Sequence, residues 1–336
     1  MLRTFRIHIA QGPEFNPRRR LLAKALQRLV QVLYVSQGNP MNVTKYHIME
    51  ILEPSLLLGL LSSFLGLSAA IRYGNANIFI GILSVAGVVL AQASANLIDD
   101  YIDYEDGIDR ETIKTRFSGG SSLVAKGKVK SMSALFMGLA CAVSAATIGA
   151  FVALSVPYVI PFIIMGAAII VLYARYLTRI PFLAEPLVAV EFLFAAVGTF
   201  AVAHGSLAGT MHFLPIFVIG SMFGGIALLV NELPDRNVDR KYGRKTACIM
   251  LKTNGKMASY FLLWQMAIYA IAIASVASGV ASAWFLALFA LTPASYLVYR
   301  GMKEYRTPGS YERYMSIWAM SSVIFLSLMS AIYLFL

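Results

Sequence analysis

The sequence predicts an all-α membrane protein, a polytopic bundle of nine transmembrane helices. Of its 336 residues, 58% are hydrophobic and only 13% are charged, whereas soluble domains typically carry about 25% charged residues. Apolar runs of about twenty residues also recur from Met49 to Leu336, and each is long enough to cross a hydrocarbon layer of roughly 30 Å as a helix. These observations exclude a water-soluble globular enzyme.

Nine apolar segments are predicted to form these helices. They cover residues 49–71, 77–99, 131–154, 157–174, 184–204, 213–233, 257–279, 282–299 and 315–336. The connections on one side are short, while residues 100–130 and 234–256 form two long, polar loops on the other. Because four predicted helices separate these two loops, both loops emerge on the same face of the membrane. We expect the function to lie in them.

Basic residues are distributed unevenly between the two sides of the predicted membrane. The chain has 28 Lys and Arg against 17 Asp and Glu, a formal net charge of +11. If the N-terminus is cytoplasmic, 27 of the 28 basic residues fall on the cytoplasmic side and only Arg72 lies opposite. This is the positive-inside asymmetry of membrane proteins, so the excess charge indicates topology rather than nucleic-acid binding. We expect an integral protein of the inner cell membrane, with the N-terminus and both polar loops cytoplasmic.

The first part of the chain differs from the rest, which divides the sequence into a segment over residues 1–45 and a transmembrane domain over residues 46–336. The stretch from Pro17 to Tyr34 is rich in arginine and has leucines at helical spacing. A basic amphipathic helix on an anionic membrane surface has this pattern, and a disordered tail is the alternative. A secretory signal peptide is not indicated, because no apolar stretch with a small-residue cleavage site follows the basic residues.

Two acidic motifs stand where predicted helices reach the membrane surface. The first contains Asn96, Asp100 and Asp103, and the second contains Asn231, Asp235 and Asp239. In a helix with 100° per residue, each trio falls within an arc of about 80°, so its members share one face. Acidic residues in membrane helices are costly, by about 2.5–3.5 kcal/mol for a central Asp, and they usually mark functional sites.

Facing carboxylates repel each other unless a cation lies between them. Mg²⁺ takes oxygen ligands and is usually shared between one or two carboxylates and the phosphates of a substrate. We therefore predict Mg²⁺ as the cofactor. The predicted metal ligands, which are also the predicted catalytic groups, are Asp100, Asp103, Asp235 and Asp239. The two asparagines, Asn96 and Asn231, are predicted to bind the substrate or to orient the ligands.

Basic residues follow both motifs and are suited to hold a phosphate group. Four of them are predicted to bind the substrate: Arg116, Lys126, Arg244 and Lys245. Together with a metal ion they would stabilise the negative charge that grows on a departing diphosphate. The glycine-rich run at residues 119–122 either adds backbone N–H groups for the same anion or forms an ordinary flexible turn.

An isoprenyl diphosphate is a substrate that carries a diphosphate and also has a hydrocarbon part that membrane helices can surround. Its head is a charged leaving group for Mg²⁺, and its hydrocarbon tail fits a bundle that is open to membrane lipid. Aromatic side chains at helix ends could stabilise the allylic cation that loss of diphosphate leaves. Glu191, inside the fifth predicted helix, either orients an acceptor hydroxyl or makes a hydrogen bond in helix packing.

The two motifs resemble those of the UbiA superfamily of intramembrane aromatic prenyltransferases. The pattern N-x3-D-x2-D-x3-G-x-D at residues 96–109 is similar to the first family motif in its menaquinone-branch form, whose acceptor is 1,4-dihydroxy-2-naphthoate. The pattern N-x3-D-x3-D-x3-G-R-K-T at residues 231–246 is similar to the second. The resemblance implies a nine-helix enzyme of quinone biosynthesis. It would transfer a prenyl group from an isoprenyl diphosphate to an aromatic or quinone-precursor acceptor, or to a lipid acceptor, and release diphosphate.

Two other classes of membrane protein place acidic residues on helices. The run from Asp103 to Gly107 begins like the motif of the CDP-alcohol phosphatidyltransferases, but Asp109-Arg110 replaces the Ala-Arg expected there. An ion-coupled transporter is the second alternative. Transporter sites usually lie near the middle of the membrane at broken helices, whereas these acids cluster at one face beside basic residues.

Overall fold

The computed structural model describes residues 54–335, except residues 116, 118, 119, 121 and 122. All regular elements in this part of the chain are helices, which confirms the predicted all-α class. The α-helices are α1 (Pro54–Tyr73), α2 (Ile78–Asp106), α3 (Ile108–Glu111), α4 (Ser131–Ser155), α5 (Ile160–Leu172), α6 (Ala184–His204), α7 (Thr210–Asn231), α8 (Arg236–Lys241), α9 (Ala247–Met250), α10 (Asn254–Ala277), α11 (Thr292–Lys303) and α12 (Pro308–Phe335). The predicted segment at residues 1–45, and hence the domain boundary, lies outside the described residues.

Eight helical segments of the described chain are long and apolar enough to cross a membrane. They are α1, α2, α4, α6, α7, α10, α12 and a segment in which the 3₁₀ helix Ala283–Leu291 continues into α11. The fourth predicted helix is shorter: a 3₁₀ turn at Pro157–Val159 leads into α5, and the two together form the apolar segment Pro157–Leu172. Nine crossing helices therefore remain a prediction.

Helix α2 extends seven residues past the end predicted for it at residue 99. At its beginning, the side chain of Asn77 accepts a hydrogen bond from the backbone N–H of Ile80 at 3.2 Å, which caps the first turn. At its end, Gly107 has a φ of 92°, the left-handed conformation that commonly terminates helices. Apolar character fades at Asp99, but the backbone stays helical to Asp106. The first motif therefore lies on a helix that reaches out of the apolar zone.

The second motif does not lie on one continuous helix, and the prediction of a single helical face over residues 231–239 is wrong. Helix α7 ends at Asn231, and α8 begins only at Arg236. The cause is Pro234, whose ring fixes its φ and which has no backbone N–H to continue a helix. Asp235 is the residue just before α8, and Asp239 lies within α8.

The interior is formed mainly by α1, α6, α7 and α12, which pack against one another, while α2 packs against α4. Phe223 of α7 stacks on Trp318 and Phe325 of α12, with ring centroids 5.1 and 4.8 Å apart. The indole N–H of Trp318 donates to the Phe223 carbonyl at 3.3 Å. This satisfies the polar group of a side chain that is buried in an apolar core.

Candidate active site

A cavity of about 560 Å³ lies where the two acidic motifs meet. One end of its wall is polar and carries Asn96, Asp99, Asp100, Asp103, Asp109, Asn231, Glu232, Asp235, Asp239 and Arg244. The remaining wall is largely apolar and includes Leu57, Leu58, Ile169, Ile170, Val188, Leu228, Met320 and Val323. The fold therefore brings the two motifs to one end of a chamber whose remaining wall is largely apolar.

Arg244 joins the two motifs. Its Nη2 lies 2.6 Å from Oδ2 of Asp103, on α2, and its Nη1 lies 3.1 Å from Oδ1 of Asp239, on α8. All three side chains are largely buried, and the Arg244 side chain is only 13% exposed. The guanidinium thus supplies the positive charge that the facing carboxylates need.

The first motif makes two further contacts with the loop that follows it. The ammonium of Lys114 lies 2.6 Å from Oδ1 of Asp109. Gly120 has a φ of +68°, and a Cβ atom added there would lie 2.1 Å from Oδ1 of Asp100. The backbone of this loop therefore approaches Asp100 so closely that a side chain at position 120 would displace the carboxylate.

Backbone hydrogen bonds hold the second motif loop in place. The N–H of Lys245 donates to the carbonyl of Thr178 at 2.7 Å, and the N–H of Phe182 donates to the carbonyl of Lys245 at 3.3 Å. The buried carboxylate of Glu185, in the first turn of α6, accepts the N–H of Ala247 at 2.7 Å. The loop that carries Arg244 is thus held in position by hydrogen bonds to the connection before α6 and to the first turn of α6.

An exposed cluster connects the two motif loops on the outside. Glu111 accepts hydrogen bonds from the ammonium of Lys241 at 2.6 Å and from the hydroxyl of Tyr242 at 2.9 Å. Exposed ion pairs such as the one between Lys241 and Glu111 contribute little free energy of folding. Arg244 is therefore the main electrostatic connection between the loops.

Burial changes the acidity of the second motif. Burial raises the pKa of Asp235 well above its ordinary value, and repulsion by Asp239 adds to the shift. Burial also raises the pKa of Asp239 to about 6, although the neighbouring Arg244 opposes this increase. Both carboxylates are therefore poised to lose a proton when a stronger positive charge arrives.

The oxygen groups at the polar end suit Mg²⁺. Oδ1 of Asp235 and Oδ1 of Asp99 are buried and have no hydrogen-bond partner. Within the described residues, no three Asp, Glu, His or Cys side chains converge tightly enough to form a metal cage, because Arg244 lies between Asp103 and Asp239. Mg²⁺ seldom uses such a cage and is usually completed by water and substrate phosphates. The residues thus fit Mg²⁺ that enters together with a diphosphate.

The predicted site residues differ in where the structure places them. Both asparagines, all four predicted metal ligands and Arg244 line the cavity, whereas Lys126 and Lys245 are exposed and are not among its described lining residues. Arg116 lies outside the described residues. Arg244 also has a buried Nε–H without a partner, which is available to an anion.

Several lining residues were not predicted as site residues. Asp99 and Glu232 are direct neighbours of predicted positions, and Asp109 belongs to the first motif pattern. Their adjacency to the motifs was a signal in the sequence. Tyr173 also lines the cavity, and it is one of the aromatic side chains at predicted helix ends that could stabilise an allylic cation. Thr178 lines the cavity from the connection before α6, and nothing in its local sequence marks it.

Comparison with known proteins settles the family. The sequence profile of the UbiA prenyltransferase family matches residues 59–328, most of the described chain. The chain belongs to the UbiA prenyltransferase family. This confirms the predicted prenyltransferase class and favours it over the phosphatidyltransferase and the transporter. No curated protein matches the chain significantly.

Solved structures of UbiA homologues share the fold. A homologue from Aeropyrum pernix K1, in its apo form, has a TM-score of 0.60 at 18% identity, over 81% of this chain and 98% of that one. A digeranylgeranylglyceryl phosphate synthase has a TM-score of 0.58 at 16% identity, over 88% and 99%. A homologue from Archaeoglobus fulgidus, bound to DMAPP and Mg²⁺, has a TM-score of 0.51 at 13% identity, over 84% and 99%.

Proposed function

We propose that this UbiA family member catalyses Mg²⁺-dependent transfer of a prenyl group from an isoprenyl diphosphate to an aromatic or quinone-precursor acceptor, with release of diphosphate. The observation that carries the proposal is the cavity itself. Both carboxylate motifs and Arg244 lie at one end of it, and the rest of its wall is largely apolar. A donor with a diphosphate head and a hydrocarbon tail matches this cavity, because its charged part fits the polar end and its apolar part fits the remaining wall.

The polar end is the proposed site of the diphosphate. Asp100, Asp103, Asp235 and Asp239 hold Mg²⁺, and Asn96 and Asn231 orient the ligands. When bound, Mg²⁺ supplies positive charge that stabilises the departing diphosphate. Arg244 binds the diphosphate through its free Nε–H and the N–H groups now engaged by Asp103 and Asp239. Arg116, Lys126 and Lys245 are proposed to add charge from the surrounding loops.

The structures of relatives support this assignment of donor and cofactor. The Archaeoglobus fulgidus homologue was solved with Mg²⁺ bound together with DMAPP and, separately, with GPP. Both ligands are isoprenyl diphosphates. In the present chain, Ile169, Ile170 and Val188 line the apolar wall, and we assign that wall to the hydrocarbon tail of the donor.

The form of the first motif supports an acceptor of the menaquinone branch, 1,4-dihydroxy-2-naphthoate, and hence a role in quinone biosynthesis. The uneven distribution of basic residues supports an inner-membrane protein whose acidic loops face the cytoplasm. We also propose that residues 1–45 form a segment separate from the transmembrane domain of residues 46–336.

The decisive experiment is a transfer assay with the purified full chain in lipid nanodiscs. Labelled isoprenyl diphosphates of increasing length are combined with naphthoates, benzoates or glycerol-phosphate lipids, with and without Mg²⁺. We expect Mg²⁺-dependent diphosphate release and a prenylated aromatic product. Transfer to a glycerol-phosphate lipid alone, or turnover that is unaffected by chelation of Mg²⁺, would contradict the proposal.

A further inference from the structure

Glu191 is a carboxyl group in the wall of the cavity that the proposed function leaves without a role. It lies on α6, and its neighbour Phe192 also lines the cavity. Glu191 makes no hydrogen bond and no ion pair with the residues that the structure describes, and its side chain is exposed only in part. Polar side chains inside membrane helices usually face a ligand pathway or another polar group. The polar atoms of Glu191 are therefore left for a molecule in the cavity.

Glu191 lies deeper in the bundle than the acidic motifs. At the start of α6, Glu185 accepts the N–H of Ala247, in the loop of the second motif. Glu191 follows Glu185 by six positions, which is about 9 Å along a helix axis. Phe192 indicates a similar depth, because a Cβ atom added at Gly224 would overlap its ring, and Gly224 lies seven positions before the end of α7. Glu191 is thus well separated from the proposed diphosphate site.

The surroundings of Glu191 favour its uncharged form. Among the lining residues that the structure describes, Arg244 is the only basic one, and it pairs with motif aspartates at the polar end. A carboxyl group that is buried without a cation is most stable with its proton bound. In this form it has one O–H donor and one carbonyl acceptor. Glu191 is therefore suited to bind an uncharged polar group rather than an ion.

Of the two proposed substrates, the acceptor is the one that can supply such a group. The polar atoms of an isoprenyl diphosphate are confined to its head, which is assigned to the motif end of the cavity. Its hydrocarbon tail would leave the carboxyl group of Glu191 desolvated and without a hydrogen bond, which is costly. The acceptor ring must lie next to the carbon that leaves the diphosphate. A hydroxyl on the far edge of that ring then lies on the side of Glu191.

We propose that Glu191, in its uncharged form, binds the acceptor hydroxyl that lies away from the diphosphate. This inference rests on the proposed function and deepens it, because it states which part of the acceptor the cavity recognises. In 1,4-dihydroxy-2-naphthoate, the 1-hydroxyl and the carboxylate then face the polar end. The 4-hydroxyl, on the opposite edge of the ring, exchanges hydrogen bonds with Glu191. The cavity therefore selects a 1,4-dihydroxylated ring.

The test compares two acceptors that differ only in this hydroxyl, 1,4-dihydroxy-2-naphthoate and 1-hydroxy-2-naphthoate. Their dissociation constants are measured by calorimetry with Mg²⁺ and an unreactive isoprenyl thiodiphosphate, and kcat and KM are measured in transfer assays. The variants are Glu191→Gln, which keeps a donor and an acceptor without a charge, and Glu191→Met and Glu191→Leu, which remove both. Glu304→Met is the matched control, because Glu304 is exposed and pairs only with Arg300 among the described residues.

We expect the wild type and Glu304→Met to bind the dihydroxylated acceptor about tenfold more tightly, the effect of a buried hydrogen-bonding group that is left unsatisfied. Glu191→Gln should keep this preference and a kcat within about threefold of the wild type, because hydrogen bonding that only positions the acceptor survives in the amide. Glu191→Met and Glu191→Leu should bring the ratio of dissociation constants close to one.

Two results would overturn the inference. One is a ratio that is the same in the wild type, Glu191→Met and Glu191→Leu, since the 4-hydroxyl would then bind elsewhere. The other is a loss of kcat by about a hundredfold in Glu191→Gln, which would show that Glu191 acts as an ionised base.

Donor binding separates this inference from the proposed function. If the wild type and the Glu191 variants bind an isoprenyl diphosphate alike in the presence of Mg²⁺, the variants are folded and their acceptor ratios decide the role of Glu191. If the wild type binds the donor but transfers its prenyl group to neither naphthoate, the proposed acceptor is wrong, and the inference fails with it.

Discussion

The guanidinium of Arg244 lies 2.6 Å from the carboxylate of Asp103, a residue 141 positions earlier in the chain. The same guanidinium contacts Asp239, so a single side chain holds the two acidic motifs together. A cation that binds the motifs must compete with this internal positive charge. A diphosphate that binds together with the cation can pair with Arg244 in place of Asp103 and Asp239. The two carboxylates are then free to bind the cation.

The charge of the motif aspartates can be tested by Asp103→Asn and Asp239→Asn. Each substitution keeps the size of the side chain but removes a charge that is proposed to hold Mg²⁺. We expect Mg²⁺-dependent prenyl transfer to fall by about a hundredfold or more in each variant, because metal-assisted charge stabilisation is worth several kcal/mol. Asp106→Asn is the control, since Asp106 pairs with Arg175 at the exterior. Near wild-type turnover in either motif variant would refute the two-motif site.

Removing Arg244 should destabilise the protein without Mg²⁺. Arg244→Ala leaves Asp103 and Asp239 facing each other, and loss of one partner of a largely buried ion pair typically costs about 3–5 kcal/mol. We expect thermal unfolding in detergent and EDTA to shift down by about 5 °C or more. Mg²⁺ should then raise the Tm of this variant by more than it raises that of the wild type. Arg240→Ala, at an exposed position, should behave like the wild type.

Mg²⁺ affinity should rise with pH. The pKa values of Asp235 and Asp239 are raised, that of Asp239 from 3.8 to about 6, so both side chains hold protons at a pH where ordinary aspartates are ionised. Mg²⁺ binds the ionised form, so its apparent affinity should increase as the pH rises through 6. Titration by calorimetry between pH 5.5 and pH 8 measures this. A flat profile would show that neither aspartate releases a proton on binding.

The approach of the first loop to Asp100 can be tested by Gly120→Ala. The new Cβ would lie 2.1 Å from Oδ1 of Asp100, so we expect loss of Mg²⁺-dependent activity. Gly127→Ala is a matched control, because Gly127 has a similar φ of +66° but no atom within 4 Å of the added Cβ. Both variants carry the same backbone strain, and only Gly120→Ala displaces Asp100. Equal losses would mean that strain alone is responsible.

The distribution of basic residues and the number of predicted helices between the two motif loops predict that both loops lie on the cytoplasmic side of the membrane. Single cysteines at Thr115 and Met250 in a chain without Cys141 and Cys248 should both react with a membrane-impermeant thiol reagent from the cytoplasmic side. Labelling of the two positions from opposite sides would refute the predicted orientation.

The sequence was sufficient for the helical class and for seven of the ten residues named at the polar end of the cavity. Charged residues in apolar surroundings are rare enough that the spacing of Asp100, Asp103 and Asp235 was informative. The bridge formed by Arg244 was not foreseen, because it depends on the fold of α8 after Pro234 rather than on a local pattern. For the same reason Thr178, whose carbonyl accepts a backbone N–H, left no trace in the sequence. Glu191 was visible as an acid inside a predicted helix, but its lack of partners among the described residues required the structure.

Two hydrogen bonds hold the second motif loop against the connection before α6. Both join backbone groups, one between Lys245 and Thr178 and the other between Phe182 and Lys245. Such bonds do not depend on which side chains the chain carries at these positions. Substitutions can therefore accumulate along the connection during evolution while Arg244 keeps its place between the motifs. This tolerance is consistent with a shared fold among relatives that are only 13–18% identical to this chain. It also leaves the side chains of the neighbouring cavity wall free to differ from one relative to another.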